Sequence, residues 1–221
     1  MIKTCEFNDG TVYEGEWDED SDSPHGKGVM IFPEGEMYEG DFIKGRSMHG
    51  EGLYTYVDGS TYSGSFVNSL PHGKGTKTYA DGDVYIGDFK EGMIEGYGRM
   101  TFVDDNSVYE GDWFGGERHG YGTYNDGRGT LYAGEFFEGI MSGFGKITFA
   151  DNTIYEGKYI YNHYHYQYHY YHNHNHNHKS LLIIGEWKNN RWHGQGKKID
   201  CNGNITKGTW FEGVLTSNDK K

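Results

Sequence analysis

Polar and apolar residues alternate along short stretches of this chain. In the first such stretch, Tyr13 and Trp17 fall on one side with Gly15 between them. Glu14 and Glu16 fall on the other side. Because successive side chains of a β-strand point to opposite faces, the pattern predicts a strand with aromatic rings inward and carboxylates outward. No stretch has the period of a helix of useful length.

One pentapeptide, aromatic-x-Gly-x-aromatic, returns about every 23 residues. The spacings between successive central glycines are 25, 24, 23, 24, 23, 23, 28 and 23 residues. Seven copies begin with tyrosine and two weaker copies do not. The copies start at Tyr13, Tyr38, Tyr62, Tyr85, Tyr109, Tyr132, Tyr155, Ile183 and Thr206. A fixed short period is the signature of a repeat architecture, so a series of small similar units is predicted.

A second alternating run opens with Gly-x-Gly, as at Gly26 and Gly28, which share a face with Met30 and Phe32. Residues that favour tight turns separate this run from the next pentapeptide. They are Asp9-Gly10, Glu34-Gly35, Asp58-Gly59, Asp81-Gly82, Asp105-Asn106, Asp126-Gly127 and Asp151-Asn152. The glycines let neighbouring rings lie flat over the backbone. The predicted fold is all-β, an elongated single-layer antiparallel sheet of stacked β-hairpins.

These residues resemble the MORN repeat family, whose unit joins Tyr-x-Gly-x-Trp/Phe, a short loop, Gly-x-Gly and an Asp-Gly turn. The predicted organisation is seven regular repeats at 1–160, a His/Tyr/Asn insertion at 161–179, two degenerate repeats at 180–215 and a polar tail at 216–221. The resemblance implies a hairpin solenoid without catalysis that acts as a scaffold, self-associating module, cytoskeleton-linked adaptor or membrane tether. No enzyme motif appears, so no catalytic residue and no cofactor is predicted.

The charge is unevenly distributed. Residues 1–157 hold 29 acidic and 11 basic side chains, a net charge of −18, whereas residues 158–221 hold 4 and 9, a net charge of +5. The acidic part argues against nucleic acid as a partner. Cys5 and Cys201 lie at opposite ends of the repeats, and the first residues lack a secretory signal, so an intracellular, cytoplasmic protein is expected. Association with cytoskeleton or membrane structures follows only from the resemblance.

The aromatic face is the first candidate for function, because a single-layer sheet leaves it without a covering layer. We expect a groove that binds an extended or helical segment of a protein partner. The alternative is that the rings only stack on one another and hold the sheet together. The candidate residues are Tyr13, Trp17, Tyr38, Phe42, Tyr62, Phe66, Tyr85, Phe89, Tyr109, Trp113, Tyr132, Phe136 and Tyr155.

Two further partners stay open. Basic residues near the C-terminal end could bind anionic lipids such as phosphoinositides, although the acidic part opposes this. These residues are Lys188, Arg191, Lys197, Lys198 and Lys207. A homodimer could form through unpaired strand edges near Ile2–Phe7 and Ile205–Trp210.

Histidines occur in two patterns. Within the insertion, His172, His174, His176 and His178 could capture a metal ion, or the tract could be a low-complexity expansion, after which Leu181–Trp187 rejoins the sheet. Five others stand in His-Gly-x-Gly pairs, where each is expected to make the same local hydrogen bond. They are His25, His49, His72, His119 and His193.

Overall fold

The computed structural model describes residues 1–43, 45–150, 154–160, 182–188, 191–199, 204–212 and 214–218. The chain forms two compact units. The first unit contains Met1–Asn106 and Trp113–Gly116, and the second contains Ser107–Asp112 and Glu117–Lys221. No helix occurs in these residues, and hence none that could cross a membrane.

Nine strands follow one another in the first unit. They are β1 (Ile2–Glu6), β2 (Val12–Asp18), β3 (Ser23–Ile31), β4 (Met37–Ile43), β5 (Ser47–Thr55), β6 (Thr61–Val67), β7 (Leu70–Thr78), β8 (Val84–Lys90) and β9 (Met93–Thr101). Each strand pairs in antiparallel fashion with the next one along the chain. The predicted all-β fold of consecutive hairpins is therefore confirmed.

The second unit continues the same pattern. Its strands are β10 (Val108–Phe114, of which residues 113 and 114 belong to the first unit), β11 (Glu117–Asn125), β12 (Leu131–Phe137), β13 (Ile140–Thr148), β14 (Ile154–Ile160), β15 (Leu182–Lys188), β16 (Arg191–Ile199), β17 (Ile205–Phe211) and β18 (Val214–Asn218). The chain rejoins the sheet at β15, as predicted, but β14 and β15 pair in parallel, with Gly157 opposite Gly185. The sequence between these two pentapeptides contains no Gly-x-Gly run, and the two pentapeptide strands, which have the same direction, are neighbours.

Six of the pentapeptide tyrosines lie flat on glycine in the described part of the chain. A Cβ atom at Gly75 would lie 2.5 Å from Cε2 of Tyr62, and one at Gly145 would lie 2.5 Å from Cε2 of Tyr132. Only glycine leaves room for the ring. We call this arrangement the tyrosine–glycine seam. Its six tyrosines, which are 0–1% exposed, are Tyr13, Tyr38, Tyr62, Tyr85, Tyr109 and Tyr132.

The seam is closed by rings from the next hairpin. Tyr38 meets Phe42 of its own pentapeptide at a centroid distance of 5.1 Å and Phe66 of the following one at 4.9 Å, both edge to face. The same pairs recur for Tyr62 with Phe89 and for Tyr109 with Phe136. Edge-to-face pairs add about 0.5–1.5 kcal/mol each beyond the area that they bury.

Tight turns join many of the successive strands in the described residues. Gly10 and Gly82 close the predicted turns at positive φ. The turn that contains the predicted Asp126-Gly127 pair spans residues 126–130, where the Asp126 amide bonds to Thr130 O and Gly129, rather than Gly127, stands in the position of Gly82. At the other end of the strands lie two-residue turns with both residues at positive φ, which the sequence reading did not identify. They are Asn68-Ser69, Glu91-Gly92, Gly115-Gly116 and Glu138-Gly139.

Candidate functional site

The pentapeptide rings define one face of the sheet in each unit, which we call the ring face. The rings proposed for a partner lie on this face, but the chain itself covers nearly all of them. The tyrosines are at most 1% exposed, and Phe42, Phe66, Phe89, Trp113 and Phe136 are at most 6% exposed. Trp17 is half-buried, and the side chain of Tyr155 lies outside the described residues. These rings hold the seam together and leave little surface for a partner.

Their hydroxyl groups are also used internally. Tyr62 Oη donates to Ser65 O at 3.0 Å, and Tyr132 Oη donates to Glu135 O at 2.9 Å. Burial, with a smaller contribution from nearby carboxylates, raises the pKa of Tyr13, Tyr38 and Tyr62 to about 12. The phenols of the seam are therefore neutral structural donors at physiological pH.

The carboxylates between the rings also have a local task. An oxygen of Asp88 accepts the Tyr97 amide at 3.0 Å, and an oxygen of Asp112 accepts the Tyr121 amide at 2.9 Å. These amides follow the first glycine of Gly-x-Gly, which has positive φ. Burial acts to raise the pKa of Asp88. Hydrogen bonds from Lys74 and the Tyr97 amide nevertheless keep this pKa below its usual value. These carboxylates therefore accept the backbone amide that follows the positive-φ glycine, and they also face water.

A second row of rings on the ring face of the first unit is half-buried. These residues end the Gly-x-Gly runs, beside the turns, and they are Phe32, Tyr54, Tyr56, Tyr79 and Phe102. Tyr54 and Tyr56 pack at 4.6 Å, and Tyr54 Oη donates to Glu36 Oε2 at 2.9 Å. The alternation placed these rings on the correct face, but the sequence reading did not select them for a partner.

A cavity of about 220 Å³ lies beside this row in the first unit. We call it the Lys77 groove. Tyr62 stands opposite Lys77, and Phe89 stands opposite Ile94 in the neighbouring strand. Tyr56 and Tyr79 line the cavity from one end, and Pro71 and Ile94 from the other. The lining residues are Tyr56, Tyr62, Pro71, Lys77, Tyr79, Phe89, Gly92, Met93, Ile94 and Gly116.

Lys77 brings the one charge among the residues that line this groove. Its Nζ atom lies 3.2 Å from the ring centroid of Tyr56 and 6.0 Å from that of Tyr79. The ammonium group donates to Ser60 Oγ at 3.2 Å. Burial lowers the pKa of Lys77, and the Asp58 carboxylate partly offsets this effect. The groove thus combines aromatic and aliphatic walls with a half-buried cation.

The ring face of the second unit carries a different set at the matching positions. Arg118 occupies the place of Pro71 or Ile94, and its Cζ atom lies 5.6–5.8 Å from the ring centroids of Tyr109, Tyr124 and Phe136. Arg118 Nη2 also donates to Gly139 O at 2.7 Å. The guanidinium group therefore covers Tyr109 and Phe136, whose counterparts in the first unit, Tyr62 and Phe89, line the groove.

The residues proposed for lipid binding lie on β15, β16 and β17. Lys197 stands directly opposite Lys207, and Lys198 opposite Thr206. Lys188 stands opposite Arg191. Lys207 is exposed, whereas the side chains of Lys188, Arg191 and Lys198 lie outside the described residues. Lipid binding stays a prediction.

The proposed dimer edge at Ile205–Trp210 is wrong. This segment is β17, which pairs with β16 on one side and with β18 on the other. The chain turns once more after it, so the terminal strand of the second unit is β18. At the other end, β1 is the terminal strand of the first unit and pairs with β2. Self-association itself stays a prediction.

The prediction of one common hydrogen bond is wrong for the side chain of His49, whereas the carbonyl oxygen of His119 accepts a hydrogen bond from Tyr109 Oη at 3.4 Å. Nδ1 of His49 is buried without a hydrogen-bond partner in the described part of the chain. The rings of His119 and His193 instead pack on Phe137 at 5.1 Å and on Phe211 at 4.9 Å. His172, His174, His176 and His178 lie outside the described residues, among which no cluster of potential metal ligands occurs.

Solved structures show distant similarity at most. The SAS-4 TCP domain of Drosophila melanogaster, in complex with a proline-rich motif of Ana2, is 12% identical, with a TM-score of 0.44 over 70% of this chain and 82% of that one. A mutant TCP10 domain of Danio rerio CPAP is 12% identical, with a TM-score of 0.31 over 99% of each chain. These values support no functional conclusion. No curated protein matches the chain.

The sequence model described as MORN repeat matches most of the chain. The matched segments are residues 13–37, 38–61, 62–84, 85–107, 109–130, 132–154 and 184–205. The match stops just before Tyr155 and resumes within β15, so the interruption coincides with the parallel pair of strands. The predicted limits of the insertion and of the degenerate repeats stay predictions. The chain belongs to the MORN repeat family, whose repeats are commonly protein- or membrane-binding scaffold modules and generally non-enzymatic.

Proposed function

We propose that this chain is a non-enzymatic scaffold that binds an extended segment of a partner protein in the Lys77 groove. The observation that carries the proposal is the cavity of about 220 Å³ on a face whose pentapeptide rings are almost fully covered. A cavity of this size accepts a few side chains. A helix with its side chains is about 10–12 Å across, so an extended segment suits this site better.

The walls of the groove favour binding at low entropic cost. Tyr56 is held by Tyr54 on one side and by the Lys77 ammonium on its face. Rings that are already ordered lose little freedom when a partner contacts them, and aromatic side chains supply much of the binding energy in protein interfaces. Pro71 and Ile94 add aliphatic surface opposite the rings.

The family suggests the setting of this activity. The partner is expected in the cytoplasm, on cytoskeletal or membrane-associated structures. Attachment to anionic lipids through Lys197 and Lys207 and self-association through the terminal strands are the alternatives. Co-sedimentation with phosphoinositide vesicles and analytical ultracentrifugation of the whole chain test these two alternatives directly.

Selection from a random twelve-residue peptide display library tests the main proposal. The wild-type chain is expected to enrich a family of related peptides. Tyr79→Ala should abolish that enrichment, because it removes one wall of the groove. Tyr97→Ala is the matched control, since Tyr97 is half exposed in the same unit but lies on the opposite face. Each variant is compared only if its unfolding midpoint stays within a few degrees of the wild type.

Two results would contradict the proposal. Failure of the wild-type chain to enrich any peptide would remove it. Equal loss of enrichment in Tyr79→Ala and Tyr97→Ala would show that binding does not depend on the groove.

A further inference from the structure

Lys77 differs from the cations that pair with carboxylates. Several basic residues of this acidic chain bind an aspartate in the described structure. These pairs are Lys3 with Asp22 at 3.3 Å, Lys27 with Asp41 at 2.8 Å and Lys74 with Asp88 at 2.7 Å. Lys77 forms no such pair with a described residue, although the chain holds 33 acidic against 20 basic side chains.

The Lys77 ammonium also has hydrogen-bonding capacity to spare. It carries three N–H donors. Among the described residues it donates to Ser60 Oγ, and the face of Tyr56 is in contact with the charge. A cation that is partly removed from water is costly unless an anion or several acceptors compensate. An anion from outside the chain would supply the missing compensation.

The Asp58 carboxylate interacts electrostatically with the Lys77 ammonium and acts to raise its pKa. Asp58 is exposed in its turn, and its Oδ1 atom accepts the Ser60 amide at 2.9 Å. That hydrogen bond holds Asp58 in the turn, from where it acts on Lys77 without forming an ion pair in the described structure. A carboxylate of a bound segment could approach the ammonium group directly.

The surroundings of the charge suit one carboxylate better than a phosphate. Pro71, Phe89 and Ile94 make the groove apolar, so a single ion pair there is stronger than one on the surface. Phosphate sites collect several cations or backbone amides. Here one cation stands within a region of net charge −18, which repels a multiply charged group more than a single carboxylate.

We propose that the Lys77 groove selects partner segments by an Asp or Glu side chain, set among apolar residues, that binds the Lys77 ammonium. This inference rests on the proposed function of the groove and specifies the chemistry of the segment that it takes. The carboxylate docks between the rings and beside Ser60, while its apolar neighbours contact Pro71 and Ile94.

The same peptide library tests this selectivity when it is screened with four proteins. Wild type should enrich peptides with one acidic position flanked by apolar residues. Lys77→Met should keep the apolar preference and lose the acidic one, and Lys77→Glu should replace the acid by Lys or Arg. Lys74→Met is the matched control, because Lys74 lies on the same strand, β7, and pairs with Asp88 on the opposite face.

A synthetic peptide of the enriched consensus then gives the magnitude. Its affinity for the wild type should fall about 30-fold when its acid is changed to the amide, as expected for one partner of a shielded charge pair. The same amide change should have little effect on binding to Lys77→Met. The two substitutions should therefore not be additive.

The outcomes separate this inference from the proposed function. If the wild type enriches no peptide, both fail. If it enriches peptides without an acid, or if Lys77→Met keeps the acidic preference, only the selectivity is wrong. Sedimentation of wild type with vesicles containing phosphatidylinositol bisphosphate, lost in Lys77→Met, would assign the groove to a phosphate and overturn the inference. A wild-type dimer that dissociates in Lys77→Met would assign it to a second copy, with the same consequence.

Discussion

Each unit has the same kind of tyrosine–glycine seam, but the two ring faces differ in the residues that lie above the seam. In the first unit, Pro71 and Ile94 leave a cavity in which Lys77 meets Tyr56. In the second unit, Arg118 takes the equivalent place and lies over its neighbouring rings. The buried tyrosines and glycines are constant, so they specify the fold. On our proposal, variation at the strand ends decides where a partner binds.

The largest expected effect is a loss of stability, and it comes from changes in the tyrosine–glycine seam, which both units contain. Gly75→Ala should destabilise the chain by more than about 3 kcal/mol, because the new methyl group would overlap the ring of Tyr62. Gly145→Ala should do the same through Tyr132. Ser63→Ala, on the exposed face, is the control. Urea unfolding checks all three, and a tolerated Gly75→Ala would show that the ring is not confined as described.

Removal of one seam hydroxyl should have a smaller effect. Tyr62→Phe should cost about 1–2 kcal/mol, because Ser65 O loses its donor, and Tyr132→Phe should match it through Glu135 O. Urea unfolding at neutral pH measures both. A tenfold difference between the unfolding equilibrium constants of Tyr62→Phe and Tyr132→Phe would contradict the equivalence of the seam in the two units.

The seam also predicts a response to alkaline pH. The folded pKa of Tyr13, Tyr38 and Tyr62 is raised to about 12 from 10, so the neutral phenol is favoured in the folded state. The resulting stability is complete below pH 10 and is lost as the pH rises through about 12. Phenolate absorbance of these tyrosines should appear together with unfolding, and its appearance in a fully folded chain would contradict their burial.

Exchange of the residues that differ should change binding more than stability. Ile94→Arg places in the first unit the residue type that covers the rings in the second, and should weaken binding of a selected peptide at least about tenfold, or about 1.4 kcal/mol. Ile86→Arg is the control, since Ile86 is exposed on the opposite face. Isothermal titration calorimetry measures both, and unchanged binding to Ile94→Arg would exclude the groove as the site.

The smallest expected effect concerns the capping carboxylates. Asp88→Asn should cost roughly 0.5–1 kcal/mol, because the Tyr97 amide keeps an acceptor but loses a charged one. The pKa of Asp88 is lowered in the folded chain, so its contribution is present at neutral pH and lost as the pH falls through that pKa. The difference between wild type and variant should vanish in acid, and a constant difference would contradict this role.

The sequence determined much of the fold because its signals are local and repeated. Alternation, Gly-x-Gly and the Asp-Gly turns predicted the hairpins correctly. The parallel pairing of β14 with β15 could not be read in this way, because it joins two pentapeptides that lie 28 residues apart instead of the two strands of one hairpin. Similarly, Asp126-Gly127 is predicted as the central pair of its turn, but the spacing to Tyr132 places Gly129, two residues later, in the position of Gly82.

The candidate site was only partly predictable for a related reason. Alternation assigns a ring to a face but does not show what covers it. Tyr38 is covered by Phe66 from the next pentapeptide, whereas Tyr79 ends its run beside a turn and stays half-buried. The role of Lys77 depends on Tyr56, which is 21 residues away along the chain and 3.2 Å away in space. No short motif contains that contact.

Tyrosine-selective NMR of the wild-type chain, with and without a selected peptide, tests the central claim most directly. Binding in the Lys77 groove predicts that the ring signals of Tyr56 and Tyr79 shift, while those of Tyr97 and Tyr121 on the opposite faces do not. Shifts confined to Tyr97 or Tyr121, or saturating peptide with no change at Tyr56 and Tyr79, would contradict it.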